Sequence, residues 1–160
     1  MKILRMEFFI TRATLEHSKL IWEWRNNELT RSMFRNSELV SWQDHESWFE
    51  KLLLASNRYI YVGYLHDKPS GVVRFDLIDG TKGDYEVSIN ISPDYRGIGI
   101  GKLILSSGIQ NLRKENKLLS NVIAEVRKGN IASTALFESA GFEKHDEKAD
   151  DFACYKLEIS

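Results

Sequence analysis

The segment Ile89-Asn90-Ile91-Ser92-Pro93-Asp94-Tyr95-Arg96-Gly97-Ile98-Gly99-Ile100-Gly101-Lys102 constrains the fold more than any other stretch of the chain. A β-type run from Tyr85 to Ile91 stops before Pro93, and glycines follow at alternate positions 97, 99 and 101. A helical pattern then runs from Lys102 to Lys117, with Leu103, Ile104, Ile109 and Leu112 as its core positions, and a second β-type run, Val122 to Val126, follows. Strand, glycine loop, helix and strand make a βαβ unit. Glycines at alternate positions let the backbone approach a ligand, and a helix that starts there aims unpaired amides and the positive end of its dipole at an anion. A pyrophosphate fits that description. The spacing is not the G-x-G-x-x-G of a dinucleotide fingerprint, no acidic residue about 20 positions on ends a second strand, and Gly-Lys-Ser/Thr is missing. A tight turn without a ligand is the remaining alternative; three glycines there would weaken the helix start for no packing gain.

The rest of the chain fits around this unit. Met1 to Arg12 reads as a strand, clearest from Phe8, and Thr14 can cap a helix with Leu15, Leu20, Ile21 and Trp24 on one face, stopping near Asn26-Asn27. Ser41 with Asp44 resembles a second helix start, followed by the stripe Trp48, Phe49, Leu52 and Leu53. Tyr59 to Leu65, Gly71 to Ile78 and Tyr85 to Ile91 read as a three-stranded meander. Asn130 to Ala140 is a further helix ended by Gly141, and Ala153 to Ile159 a closing strand. Without repeats or linkers, the 160 residues read as one domain, 1–160.

Composition removes several classes of function. The 22 Lys and Arg nearly cancel 23 Asp and Glu, so no overall field favours nucleic acid or an anionic membrane. Nowhere do about 18 apolar residues run together, as a spanning helix requires. Cys154 has no internal partner for a disulfide, which suits a reducing compartment and points to the cytoplasm. His17, His45, His66 and His145 stand singly, so no metal is expected.

Arg96-Gly97-Ile98-Gly99-Ile100-Gly101 resembles the R/Q-x-x-G-x-G/A acetyl-CoA motif of the GNAT superfamily of N-acetyltransferases. Asn130-Ile131-Ala132-Ser133-Thr134-Ala135-Leu136-Phe137-Glu138-Ser139-Ala140-Gly141-Phe142 resembles that family's N-x-x-A/S-x-x-x-Y-E-x-x-G-F block. The resemblance covers nearly the whole chain. It implies a mixed α/β GNAT fold: a central, mostly antiparallel twisted sheet of about six to seven strands with a splayed parallel pair, flanked by about four helices. It also implies direct acetyl transfer from acetyl-CoA, a co-substrate, to a primary amine. By this resemblance the amides of Gly97, Ile98, Gly99, Ile100, Gly101 and Lys102, with the Arg96 region, hold the pyrophosphate. Ile89 and Ile91 bond pantetheine as an added strand, and Asn130, Ser133 and Phe137 line its arm. Asn130 also suits a helix cap.

Transfer to nitrogen needs a base, and the departing thiolate needs stabilisation. Glu125, inside an apolar strand beside the implied gap, and Glu86, in the opposite wall, are the candidates; each also suits a backbone-pairing role. If buried, either gains basicity near neutrality. Phe137 stands where most relatives carry the tyrosine that protonates the thiolate, so Tyr155 is a candidate substitute, with a half-buried β residue as its other reading.

Trp24-Arg25-Asn26, then Met33, Ser41, His45 and Trp48-Phe49, resemble the pattern of family members that acetylate the 4-amino group of UDP-linked 4-amino-4,6-dideoxy sugars in pseudaminic acid synthesis. The resemblance implies that Arg25, Asn26, Met33, His45 and Trp48 contact a nucleotide-linked small-molecule amine, with Arg25, Arg31 and Arg35 neutralising its diphosphate. The four tryptophans, Trp22, Trp24, Trp42 and Trp48, also suit a core role. The ribosomal-protein N-terminal acetyltransferase branch shares W-R-N-like features and is the alternative, and a catalytically silent acetyl-CoA sensor is a third reading. The expected state is a monomer or homodimer.

Overall fold

The computed structural model describes residues 7–147 and 150–159. Its strands are β1 (Phe8–Arg12), β2 (Arg58–Leu65), β3 (Lys68–Leu77), β4 (Asp84–Ile91), β5 (Asn121–Arg127), β6 (Glu143–Glu147) and β7 (Phe152–Glu158). Its helices are α1 (Ser18–Asn26), α2 (Glu28–Ser32), α3 (Trp42–Leu54), α4 (Ile100–Glu115) and α5 (Ile131–Ser139). The strands form one sheet in the order β1-β2-β3-β4-β5-β7-β6, antiparallel except for the parallel pair β4 and β5. The expected GNAT architecture is therefore present, with five helices among the described residues where about four were expected.

Alternation along the strands sorts side chains to two faces. Tyr61, Val73, Phe75, Tyr85, Val87, Val122, Ala124 and Val126 turn to one face, where Ile104, Leu105, Ile109 and Leu112 of α4 cover them. Fully burying each such aliphatic or aromatic side chain is worth about 1.5–3 kcal/mol. Ile60, Val62 and Val72 turn to the other face, under Ile21 and Trp24 of α1 and Phe49 and Leu52 of α3. The α4 face is the structural core. The α1–α3 face carries the polar residues of β3, β4 and β5.

Two sequence expectations, at Leu15 and at Leu103, need correction. Residues 1–6 of the strand read from Met1 lie outside the described residues, and the strand is seen from Phe8. The helix expected after Thr14 begins as a single 3-10 turn, Leu15–His17, in which the Thr14 amide donates to His17 Nδ1 at 3.0 Å; Leu15 is therefore exposed rather than on the inner face. Leu103 also lies outside the core, 37% exposed, because α4 turns Ile104 and Leu105 inward instead. Finally, α2 and β6 had no sequence signal. Five residues of α2 are too few for a period, and Glu143-Lys144-His145-Asp146-Glu147 is wholly charged or polar. Charge at that place has its own logic, because β6 is an edge strand, and exposed charge discourages pairing with another chain.

Candidate active site

The parallel pair opens partway along. Its register runs from Asp84↔Asn121 to Val87↔Ala124 and stops there. Beyond that point β4 stays paired to β3 through Gly71↔Ile91, and β5 stays paired to β7 through Arg127↔Phe152. Ser88 to Ile91 and Glu125 to Arg127 thus each present one strand edge not used by the other, and such an edge is a template for an extended polar chain. Ile89 and Ile91 keep half-buried side chains against the α4 core, which leaves the backbone as the part of β4 that faces the split.

The glycine loop closes the wide end of this split. Gly97 and Gly99 have φ of +78° and +83°, a region that side chains with a Cβ rarely adopt, and nothing lies within 4 Å of either Cβ position. Gly99 caps α4, so the first-turn amides of that helix have no side-chain acceptor from the cap residue. Positive φ, open space and uncapped amides fit a diphosphate approaching close to the backbone. Ile98 is 52% exposed on this loop, and Lys102 is exposed in the first turn of α4. Ile100, 1% exposed, anchors the helix in the core. A Cβ at Gly101 would make ordinary contact with Leu136 of α5 at 3.5 Å and Ile91 at 3.6 Å, so helix packing there does not require a glycine. The Arg96 guanidinium donates to Thr30 Oγ1 and, at 3.4 Å, to Asn27 Oδ1. It ties the loop to α2.

At the start of α5, Asn130 Oδ1 accepts from the Ser133 amide at 3.1 Å, and its Nδ2 donates to Ser133 Oγ at 2.9 Å. The capping role is thereby filled. Phe137 is 4% exposed, edge-on to Phe142 at 5.1 Å between ring centroids.

Glu125 is the first β5 residue past the last pair with β4, and its side chain is on the α1–α3 face. Arg35 forms an ion pair with it and reaches Asp150 at 2.8 Å, while the guanidinium stands 4.0 Å from the centroid of the Phe152 ring. Hydrogen bonds to Glu125 and then Asp150 push the Arg35 pKa up. Glu86 shares the face but sits at a level where the two strands are still paired, opposite Asp76 of β3. Glu86 is exposed, and the Glu125 side chain is 20% exposed beside a guanidinium, so the burial that would raise their basicity is incomplete. Tyr155 pairs with Ala124 and, 6% exposed, belongs to the α4-side core, so it does not join Glu86 and Glu125 on their face.

The residues expected to touch the acceptor mostly make contacts within the protein. Asn26 holds Val40 from both sides, its Oδ1 accepting from the amide and its Nδ2 donating to the carbonyl, both at 2.9 Å. Trp22 Nε1 donates to the same carbonyl at 2.6 Å. His45 is 0% exposed and stacked on Phe49 at 5.5 Å. Burial lowers its pKa and the charge of Arg25 adds to this, while the Ser18 backbone opposes it. Buried this way, His45 is a core residue and not a contact for a sugar. Trp48 lies beside Arg25 and Arg74, at 5.3 and 5.2 Å from its ring centroid. Burial followed by the neighbouring Arg74 lowers the Arg25 pKa. Met33 ends α2, half-buried, at the start of the segment that Asn26 holds.

A residue that sequence reasoning missed is Arg127. Its Nη2 donates to the Phe34 carbonyl at 3.0 Å, its Nε is buried without a partner, and its guanidinium stands 4.7 Å from the Phe152 ring centroid. It lines a hollow of about 410 Å³ with Glu28, Arg31, Ser32 and Ser37. Alternation from Glu125 was the signal for it, since both residues share one face of β5. A second hollow, about 470 Å³, runs along α1 at Ser92 to Asp94 and is lined by no residue of β4 or β5. Among the described residues no group of three or more His, Cys, Asp and Glu is placed to hold a metal, and no helix is long and apolar enough to cross a membrane.

A sheet split at its parallel pair, with an amide-rich glycine loop leading into a helix at the wide end, defines an acetyltransferase-type fold. The chain belongs to the acetyltransferase (GNAT) family, whose sequence profile matches residues 19–142, and it is an acetyltransferase by that membership. Among solved structures it is similar to a domain from Methanocaldococcus jannaschii DSM 2661, at 24% identity and a TM-score of 0.83, covering 96% of this chain and 99% of that one. It is similar to RimL, a ribosomal L7/L12 alpha-N-protein acetyltransferase in complex with coenzyme A, at 14% identity and a TM-score of 0.81, over 95% and 94% of the two chains. The Campylobacter jejuni N-acetyltransferase PseH in complex with acetyl coenzyme A matches at 20% identity and a TM-score of 0.72, over 96% and 100%. No curated protein matches the sequence.

Proposed function

We propose that the protein transfers the acetyl group of acetyl-CoA directly to a primary amine on a small, nucleotide-linked aminosugar. The observation that carries the acetyl-CoA reading is the register of β4 and β5, which stops at Val87↔Ala124 beside a loop with Gly97 and Gly99 at positive φ. The RimL and PseH structures, which hold coenzyme A and acetyl coenzyme A, support it. In this reading the β4 edge from Ser88 to Ile91 takes the pantetheine arm by backbone hydrogen bonds, and the amides of residues 97 to 102 take the pyrophosphate. The bound co-substrate supplies an electrophilic thioester carbonyl at the mouth of the split.

Glu125 takes the proton from the incoming ammonium, so that the amine lone pair is available for attack, and Arg35 fixes the carboxylate there. Glu86, on the same face, is the second candidate for this proton. With Phe137 and Tyr155 both in the core, the proton that the departing thiolate needs comes from solvent. A thiolate is stable enough as a leaving group for this to suffice.

The aminosugar reading is supported by the Trp24-Arg25-Asn26 pattern and by the size of the hollow beside Arg127, which suits a small molecule. The likeness to RimL, at a TM-score of 0.81, favours a second reading, in which a peptide N-terminus is the acceptor. The single cysteine accords with action in the cytoplasm.

Thiol release from acetyl-CoA, measured across UDP- and dTDP-linked 4-amino sugars, N-terminal peptides and polyamines, tests the acceptor. Turnover confined to nucleotide aminosugars is expected, and Glu125→Gln should lower kcat by about 100-fold or more with acetyl-CoA affinity unchanged. Turnover with peptides alone would move the protein to the second reading. Tight acetyl-CoA binding without turnover on any amine would make it a sensor.

A further inference from the structure

The hollow that Arg127 lines lies between α2, the segment after it and the far end of β5. Two guanidiniums face it. Arg31 donates through Nε to the Asn26 carbonyl at 3.0 Å and through Nη1 to the Ser37 carbonyl at 3.1 Å. Arg127 donates through Nη2 to the Phe34 carbonyl at 3.0 Å and approaches Asp151 at 3.8 Å. These carbonyls fix the two groups in place without neutralising them. Arg31 makes no ion pair among the described residues, and Asp151, 85% exposed, screens Arg127 only weakly. The lining carries one opposing charge, Glu28, which leaves the hollow with a formal excess of one positive charge, and Ser32 and Ser37 add two hydroxyls. The buried Arg127 Nε has no hydrogen-bond acceptor among the described residues.

Arg25 and Arg35, expected from the sequence to meet the diphosphate with Arg31, are committed elsewhere: Arg25 beside Trp48, and Arg35 on Glu125 and Asp150. Arg31 and Arg127 are the arginines that line the hollow.

We infer that this hollow is a subsite for an anionic group, phosphate or carboxylate, carried by the amine acceptor, with Arg31 and Arg127 as its donors. Two fixed guanidiniums are suited to such a group because each carries five N–H donors and gives only one or two of them to backbone carbonyls. The subsite also sets a distance. Glu125 and Arg127 are two residues apart on one face of β5, roughly 7 Å at the rise of a strand. An acceptor with its amine at Glu125 and its anion at Arg127 therefore spans about one pyranose ring, as an anomeric phosphate and a 4-amino group do. The inference rests on the reading that the amine meets Glu125.

The test compares a UDP-linked 4-amino-4,6-dideoxy sugar with the methyl glycoside of the same sugar, which keeps the amine and lacks the anion. The wild type should use the nucleotide sugar with a kcat/KM at least tenfold higher. Arg127→Gln and Arg31→Gln should each erase most of that preference through KM, with acetyl-CoA affinity within twofold of wild type, and Arg127→Lys should restore part of it. Equal use of both sugars would overturn the subsite while leaving acetyl transfer intact. A parallel loss of acetyl-CoA affinity would assign the hollow to the co-substrate and overturn it too. If neither sugar is acetylated, the proposed function fails separately, and titration of UDP onto protein saturated with CoA decides the subsite. Binding weakened at least tenfold by Arg127→Gln supports it, and binding indifferent to that change, or none, overturns it.

Discussion

The two sides of the split are made in different ways. On the side proposed for the co-substrate, the determinants are local: a strand end, two glycines at positive φ and the first turn of α4, all within residues 88 to 102. On the acceptor side they are distant in sequence, with Asn26 holding Val40, Arg31 holding Ser37, and Arg35 and Arg127 joining the segment after α2 to β5 and to residues 150 and 152. The first side uses backbone, which recognises any ligand of the right shape. The second uses side chains, which can be exchanged without moving the sheet. Such a division lets one scaffold keep its acyl donor while its acceptor changes.

Substitution at Gly99 breaks this contrast most severely. Gly99→Val puts a β-branched residue at φ +83°, at a cost of about 1–3 kcal/mol, and obstructs the loop's approach to a phosphate. Calorimetry should find acetyl-CoA binding weakened by at least about 100-fold, an affinity that substitutions at Glu125 or Arg127 leave unchanged because they do not touch the loop.

A smaller effect sharpens the acceptor side. His45 is buried neutral among Trp42, Trp48 and Phe49, with burial and then Arg25 holding its pKa below the ordinary 6.5. The unfolded chain takes up a proton near pH 6.5 that the folded chain refuses until lower pH, so the stability present above pH 6.5 is lost as pH falls below it. His17 is lowered too, first by burial, and acts in the same direction. Urea midpoints should be flat from pH 8 to 7 and decline below 6.5, with a shallower decline in His45→Asn; an identical decline would remove His45 as a source.

The same local and non-local division explains what could be read from the sequence. The meander, the βαβ unit and the cap at Asn130 were legible because each is specified by neighbours in the chain. Arg127 was not, since its partner carbonyl is at Phe34, across the sheet. The Trp24-Arg25-Asn26 pattern was visible as a pattern, but its main physical work is to hold the wall of the hollow: Asn26 clamps Val40 and Trp24 is 5% exposed. His45 was singled out by its place in the resemblance to nucleotide-aminosugar acetyltransferases. Helix periodicity from Trp42 to Phe49 instead turns it fully inward. Glu125 lies between apolar neighbours in sequence, and alternation sends those neighbours, Ala124 and Val126, to the opposite face.

Hydrogen exchange of the protein with and without acetyl-CoA tests the central claim most directly, because it reports on backbone amides without any substitution. The account predicts slowed exchange concentrated in residues 88 to 91, 97 to 102 and 125 to 130, with little change in 33 to 41 until an acceptor is added. Tight binding of acetyl-CoA that left 97 to 102 unprotected would contradict it.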